Sequence, residues 1–216
     1  IMPSLVGSEM CIRDSGGAYK GFIIGLFIIT AAISRPFSGK LADTIGRIPV
    51  MLVGVIVCMI SGFLYPLATT IWAFLGLRFF HGFSTGFKPT GTTAFASDVV
   101  PLHKKGEAMG LLGLFSSTGM AVGPYIGSLI VEYFSYNVLF LTCSGFSFLS
   151  ILVLAGMKES LENPIKFHWG LLKIKKEDLV EKRILLPALI TLCCLYSYGT
   201  VLTLVPDYST FLGISN

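Results

Sequence analysis

Two stretches of this chain, Ala108–Val131 and Tyr136–Met157, contain no charged residue at all. Each is long enough to cross the hydrocarbon core of a bilayer, which takes about 20 mostly apolar residues. Their apolar residues run on without the period of an amphipathic helix or strand. Over all 216 residues the chain is 53% hydrophobic and only 13% charged, against about 25% charged in a soluble domain. Its mean hydropathy is +0.78. These values rule out an ordinary soluble domain and argue against intrinsic disorder. An outer-membrane barrel would alternate apolar and polar residues, and this chain does not. Helices satisfy their own backbone groups inside lipid, so the expected class is an all-α, polytopic membrane protein.

Six spans are expected: Ala18–Ser38, Pro49–Ala68, Ile71–Ala96, Ala108–Val131, Tyr136–Met157 and Ile184–Tyr208. Residues 1–15 stand apart. They hold no spanning run and no signal-peptide layout, and Ser4–Ser15 resembles translated sequencing-adaptor read-through in assembled environmental data. They are expected to be a non-native leader. Residues 16–157 then form one helical bundle, 158–183 a polar linker with a short amphipathic helix at Gly170–Arg183, and 184–216 the opening helix of a second bundle. Lys40, Arg47, Lys104, Lys105 and the Lys/Arg-rich linker fall on one side of the membrane. The opposite loops, Ala68–Thr70 and Glu132–Asn137, carry no Lys or Arg. The basic side is therefore expected to be cytoplasmic, and the net charge of +4 is read as topology rather than nucleic-acid binding. A further helix is expected upstream of the first span.

Cys58, Cys143, Cys193 and Cys194 lie inside apolar runs without metal-site spacing and read as small buried apolar residues. No metal or cofactor is expected. The sequence holds no HExxH and no ligand cluster, so no enzyme chemistry is expected either.

Three places carry polar or backbone chemistry. Gly39-Lys40-Leu41-Ala42-Asp43-Thr44-Ile45-Gly46-Arg47 reads as a tight cytoplasmic turn, with Gly39 and Gly46 giving backbone freedom. Asp43 and Arg47 are placed to bond each other or neighbouring helix ends. In the third span, at about 100° per residue, Arg78, His81, Thr85, Lys88 and Thr92 share an arc of about 80°, opposite Phe79, Phe80, Phe83 and Phe87. Cations at mid-membrane cost at least about 2.5–3.5 kcal/mol each, so this stripe must face water, a partner or a substrate. For Lys88, snorkelling to the cytoplasmic side is the alternative. Pro89 is expected to kink this helix. In the fourth span, Gly119, Gly123 and Gly127 recur every fourth residue beside Pro124 and form a face for close helix approach.

In order, these elements resemble motifs of the major facilitator superfamily. GxLADxxGR resembles motif A, matched by Gly39, Leu41, Ala42, Asp43, Gly46 and Arg47, although Thr44 stands where the family usually has a basic residue. Arg78 with Gly82 resembles motif B, and Gly119-xxx-Gly123-Pro124 resembles motif C, the antiporter signature. The resemblance implies the second to seventh helices of a twelve-helix, two-bundle transporter working by alternating access. It implies that Asp43 and Arg47 gate the cycle, that Arg78 serves proton coupling from a central cavity, and that the coupling ion is the proton. Motif C implies efflux in exchange for protons. Uptake of sugars or metabolites by the same fold, or a receptor or scaffold without transport, are the alternatives. Coupling through His81 and coupling through a carboxylate on another helix both stay open. Expected partners are membrane lipid, a small-molecule substrate and the remaining helices of such a fold, with no nucleic acid. The 216-residue product alone is expected not to transport.

Overall fold

The structure, a computed structural model, describes residues 17–173 and 185–211. Every regular element among them is helical: α1 (Gly17–Thr44), α2 (Arg47–Leu64), α3 (Ile71–Val99), α4 (Lys105–Tyr133), α5 (Tyr136–Ala155) and α6 (Leu185–Phe211). The chain divides into two compact units, with α6 in the second and the other five helices in the first. Each expected span is a helix, with ends displaced by a few residues. Residues 1–16 and 174–184, and with them the leader and most of the expected amphipathic helix, lie outside the described residues. Where that helix should begin, Trp169–Leu172 forms a 3-10 turn instead.

In the first unit α3 is central. It packs against α1 on one side and α2 on the other, and α2 packs in turn on α5. α4 touches α3 and α5 only lightly, and none of its residues is buried. Four segments are long and apolar enough to cross a membrane: Gly21–Thr44, Arg47–Leu67, Leu102–Tyr133 and Tyr136–Ala155. α3 is not among them although it has 29 residues, about 43 Å of helix. Its polar stripe is the reason. In α6 the described apolar stretch is Leu185–Val201.

Lipid is as apolar as leucine, so helices in a membrane associate through close packing of small residues rather than by hiding greasy ones. The interior follows that rule. The fully buried side chains are Thr30, Ser34, Ser38, Ser61, Ser84 and Ser144. Large apolar residues such as Ile28, Ile29, Ile33, Leu114 and Phe148 face outward. At the α1–α3 seam a Cβ on Gly82 would stand 2.7 Å from the Phe27 carbonyl, and one on Gly86 would strike the Ser34 hydroxyl. Ser38 Oγ donates to the Gly86 carbonyl at 3.0 Å across this seam. At the α2–α5 seam Gly62 meets Ser144, whose hydroxyl donates to the Met59 carbonyl at 3.3 Å.

Two expectations are corrected here. The expected tight turn does not occupy the whole motif A segment: α1 continues helically to Thr44, and only Ile45 and Gly46 separate it from α2. Gly39 sits inside that helix with nothing within 4 Å, so Gly46 alone supplies the turn, at φ 129°. Among the described residues of the first unit, the glycine face of α4 meets no other helix closely. A Cβ on Gly119 or Gly123 would meet nothing within 4 Å, and one on Gly127 only Leu139 at 3.6 Å. The close approaches fall instead on α1, α2, α3 and α5, where serine and glycine alternate across the seams.

Candidate functional site

Two polar sites stand out, one at a helix end and one within the bundle. The first grows from the α1–α2 turn. α2 begins at Arg47 behind Gly46, which has no side chain to cap it. The cap arrives from the far side of the sequence. Glu159, just beyond α5, accepts from Arg47 N–H at 2.8 Å and from Ile48 N–H at 2.9 Å. Its carboxylate also accepts from the N–H groups of Ser160 at 3.0 Å and Leu161 at 3.1 Å. A carboxylate at a helix N-terminus satisfies orphan donors and meets the positive end of the dipole. Burial pushes the Glu159 carboxyl up, but the N–H donors of Arg47, Leu161, Ile48 and Ser160 outweigh it and hold it below its ordinary value. Gly46 is required twice over, because a Cβ there would lie 2.5 Å from Glu159 Oε2.

The Arg47 side chain completes this site. Its Nε contacts Asp98 Oδ2 at 2.9 Å, at the end of α3. One terminal nitrogen contacts Asp43 Oδ1 at 2.9 Å and also donates to the Ala42 carbonyl. Ser160 Oγ donates to Asp98 Oδ2 at 3.0 Å. The expected Asp43–Arg47 pair is therefore present. Its carboxylate is 71% exposed, however, and such pairs contribute about 0–1 kcal/mol. Asp98 and Glu159, which tie in α3 and the segment after α5, were not foreseen. Of the other motif A residues, Leu41 and Ala42 are buried with Val50 and Leu171. The first part of the linker is thus anchored rather than free. Ile165 N–H donates to the Thr44 carbonyl at 2.9 Å, and Lys40 Nζ to the Lys173 carbonyl at 2.8 Å.

The second site is the α3 stripe, and most of it faces α2. Thr92 Oγ1 donates to Met51 Sδ at 3.3 Å. Lys88 lies against Gly54, where a Cβ would stand 2.8 Å from Lys88 Cγ. His81 Nε2 lies 3.6 Å from Cys58 Sγ, and its Nδ1 lies 3.1 Å from the Tyr65 hydroxyl. The Arg78 guanidinium lies over the rings of Tyr65 and Phe74, 5.5 and 5.1 Å from their centroids. The ladder is antiparallel, stepping down α3 as it climbs α2. Thr85 is half-buried in the same helix. Lys88 and Thr92 also line a cavity of about 450 Å³ between α2, α3 and α5. The helix runs through Pro89 without interruption. Beside that residue, Thr90, Thr92 and Thr93 return their hydroxyls to the carbonyls of Gly86, Lys88 and Pro89.

Arg78 Nε is buried and has no hydrogen-bond partner among the described residues. Two aromatic faces hold the cation without neutralising it. Cys58 is not the inert apolar filler expected from its surroundings, since it contacts His81 and accepts from Ser147 Oγ at 3.5 Å. Sequence reasoning takes Cys58 only as filler and passes over Tyr65, yet a signal is present. Taking Met51 as zero at about 100° per residue, Gly54, Cys58 and Tyr65 fall within about 60° of it. No group of three or more potential metal ligands occurs among the described residues.

A family model described as Major Facilitator Superfamily matches residues 6–216, beginning inside the leader segment. The chain is 36% identical over 146 residues to "Multi-drug resistance efflux pump PmrA" of Streptococcus pneumoniae, covering 67% of this chain and 36% of that protein. It is 29% identical to "Multidrug resistance protein 2" of Bacillus subtilis, over 62% of this chain and 32% of that protein. It is 25% identical to "Quinolone resistance protein NorA" of Staphylococcus aureus, over 93% of this chain and 52% of that protein. The chain spans about a third to a half of the length of these relatives.

Proposed function

We propose that this chain, which belongs to the major facilitator superfamily, builds part of a membrane transporter that exports small molecules in exchange for protons. It is integral to the membrane, and we place it in a bacterial inner membrane with the Arg47–Glu159 end cytoplasmic. The basic residues Lys40, Arg47, Lys104, Lys105 and Lys158 at that end support this orientation. Residues 16–157 are read as the first bundle without its opening helix, and residues 184–216 as the start of the second. The substrates suggested by the relatives' names are structurally varied drugs, quinolones among them. No bond-breaking chemistry is assigned to it.

One observation carries the mechanism. α1, α2, α3 and the segment after α5 are tied at one end by a cluster centred on Arg47 and the α2 N-terminus. Its members are individually weak: a helix cap of about 1 kcal/mol and half-exposed ion pairs of about 0.2–1 kcal/mol each. Such a cluster holds the bundle together as a unit yet can exchange partners when the protein changes state. Substrate and protons are handled on the α3 stripe, where Arg78 keeps within the helix bundle a cation that no carboxylate pairs among the described residues.

The reading is tested by ethidium flux in everted membrane vesicles carrying the product of the complete reading frame. Arg78→Ala is expected to abolish flux with membrane insertion unchanged. Asp43→Asn is expected to slow flux without abolishing it. Undiminished flux in Arg78→Ala would sink the assigned role of the stripe. A partner protein still captured by a transport-dead Arg78→Ala variant would favour the scaffold alternative.

A further inference from the structure

Within the α2–α3–α5 packing a thiol, an imidazole and a phenol form one hydrogen-bonded chain. Cys58 Sγ and His81 Nε2 are 3.6 Å apart, and His81 Nδ1 and the Tyr65 hydroxyl 3.1 Å. Ser147 Oγ of α5 donates to the same sulfur at 3.5 Å. Aromatic rings close the flanks. Phe27 of α1 meets His81 edge-on at 5.5 Å, and Phe140 of α5 stacks on Tyr65 at 5.0 Å. Both ring nitrogens of His81 are therefore occupied, and both by groups of the same kind. A hydroxyl and a thiol can each donate or accept.

That property matters for a proton. Neutral imidazole has one N–H donor and one acceptor nitrogen, and imidazolium has two donors. When His81 gains a proton from water, the neighbour that had been donating turns its O–H or S–H away and becomes an acceptor. When the proton leaves, the rotation reverses. One proton enters and one leaves, no bond between heavy atoms changes, and no carboxylate is needed. The groups facing this site are Cys58 from α2, Tyr65 just after it, Ser147, Phe140 and the Cys143 thiol from α5, and Phe27 from α1. His81's own helix adds Arg78 and Lys88. No Asp or Glu is among them. Among the described residues of the first unit, the acidic residues Asp43, Asp98, Glu107, Glu132, Glu159 and Glu162 lie at helix ends or beyond.

We propose that Cys58, His81 and Tyr65 form a proton-holding site of this protein, with the imidazole carrying the proton and the thiol and phenol switching hydrogen-bond roles around it. This rests on the proton-exchange reading above.

The test is an acid-minus-alkaline infrared difference spectrum, between about pH 5 and 8, of the complete reading frame's product in lipid membranes. The expected result is a set of imidazole bands titrating together with one cysteine S–H stretching band. Cys58→Ser should remove that S–H band and leave imidazole bands with a displaced midpoint. His81→Gln should remove both. A wild-type spectrum in which every S–H band is indifferent to pH overturns the proposal, and that outcome does not depend on any variant folding. In flux assays His81→Gln should lose the pH dependence of ethidium movement, and full retention of that dependence also overturns the proposal. A wild-type protein that moves no ethidium counts against the export reading alone, since the spectrum is taken without flux and still decides the proton site.

Discussion

Gly46 joins two demands in one position: a φ of 129° that side chains avoid, and space that the Glu159 carboxylate fills. Gly46→Ala should therefore destabilise the protein by about 1–3 kcal/mol, read as a lower thermal midpoint in detergent. Gly39→Ala, a motif glycine in open surroundings, should leave the midpoint in place. The Glu159 cap also sets a pH dependence. A carboxyl held below its ordinary value contributes stability that is fully present above that value, about pH 4.3, and is lost as pH falls through the lowered one. The unfolding midpoint should drop in that acid window, and Glu159→Gln should start lower and flatten the drop. A slope that survives Glu159→Gln would assign it to another group. At this scale the sequence is legible where partners are near one another. Asp43 and Arg47 are four residues apart across the turn, and that nearness alone makes them candidate partners. Asp98 and Glu159 lie 51 and 112 residues from Arg47, and no local pattern reports such a contact.

The helices are legible because apolar length and charge-free runs are properties of one segment at a time. Which seams they form is not. A helical wheel places Arg78, His81, Lys88 and Thr92 on one face of α3, but a wheel names no partner. The structure gives that face to Met51, Gly54 and Cys58 of α2 and to Tyr65 just after it. The double variant Met51→Cys/Thr92→Cys should therefore form a disulfide under mild oxidation, seen as a bridged peptide by mass spectrometry. Its absence in a folded sample would contradict the ladder. The same limit misdirects the glycine reading. Gly119 and Gly123 have helical spacing, yet the tight contacts belong to Gly82 and Gly86, which meet Phe27, Thr30, Ala31 and Ser34. In this chain Gly82→Ala should cost about 1–3 kcal/mol by overpacking. Gly119→Ala should stay within about 0.5 kcal/mol. Chemical unfolding in mixed micelles separates the two, and equal effects would refute the assignment of the seam.

The bundle combines two kinds of holding force. Its seams are small-residue contacts that do not depend on charge state, whereas the Arg47 end is held by caps and ion pairs that can exchange partners. The α3 stripe between them carries an Arg78 that no described carboxylate pairs, and a histidine bonded at both nitrogens. On the proposed reading, one breakable end and an ionisable interior suit proton-driven alternating access. Direction and coupling are properties of the complete reading frame's product. They are measured most directly by following ethidium in everted membrane vesicles while the pH gradient is raised and then collapsed with a protonophore. Export in exchange for protons predicts accumulation inside acid-inside vesicles, reversible on collapse and lost in Arg78→Ala. Accumulation indifferent to the gradient, or gradient-driven uptake into intact cells instead, would contradict it.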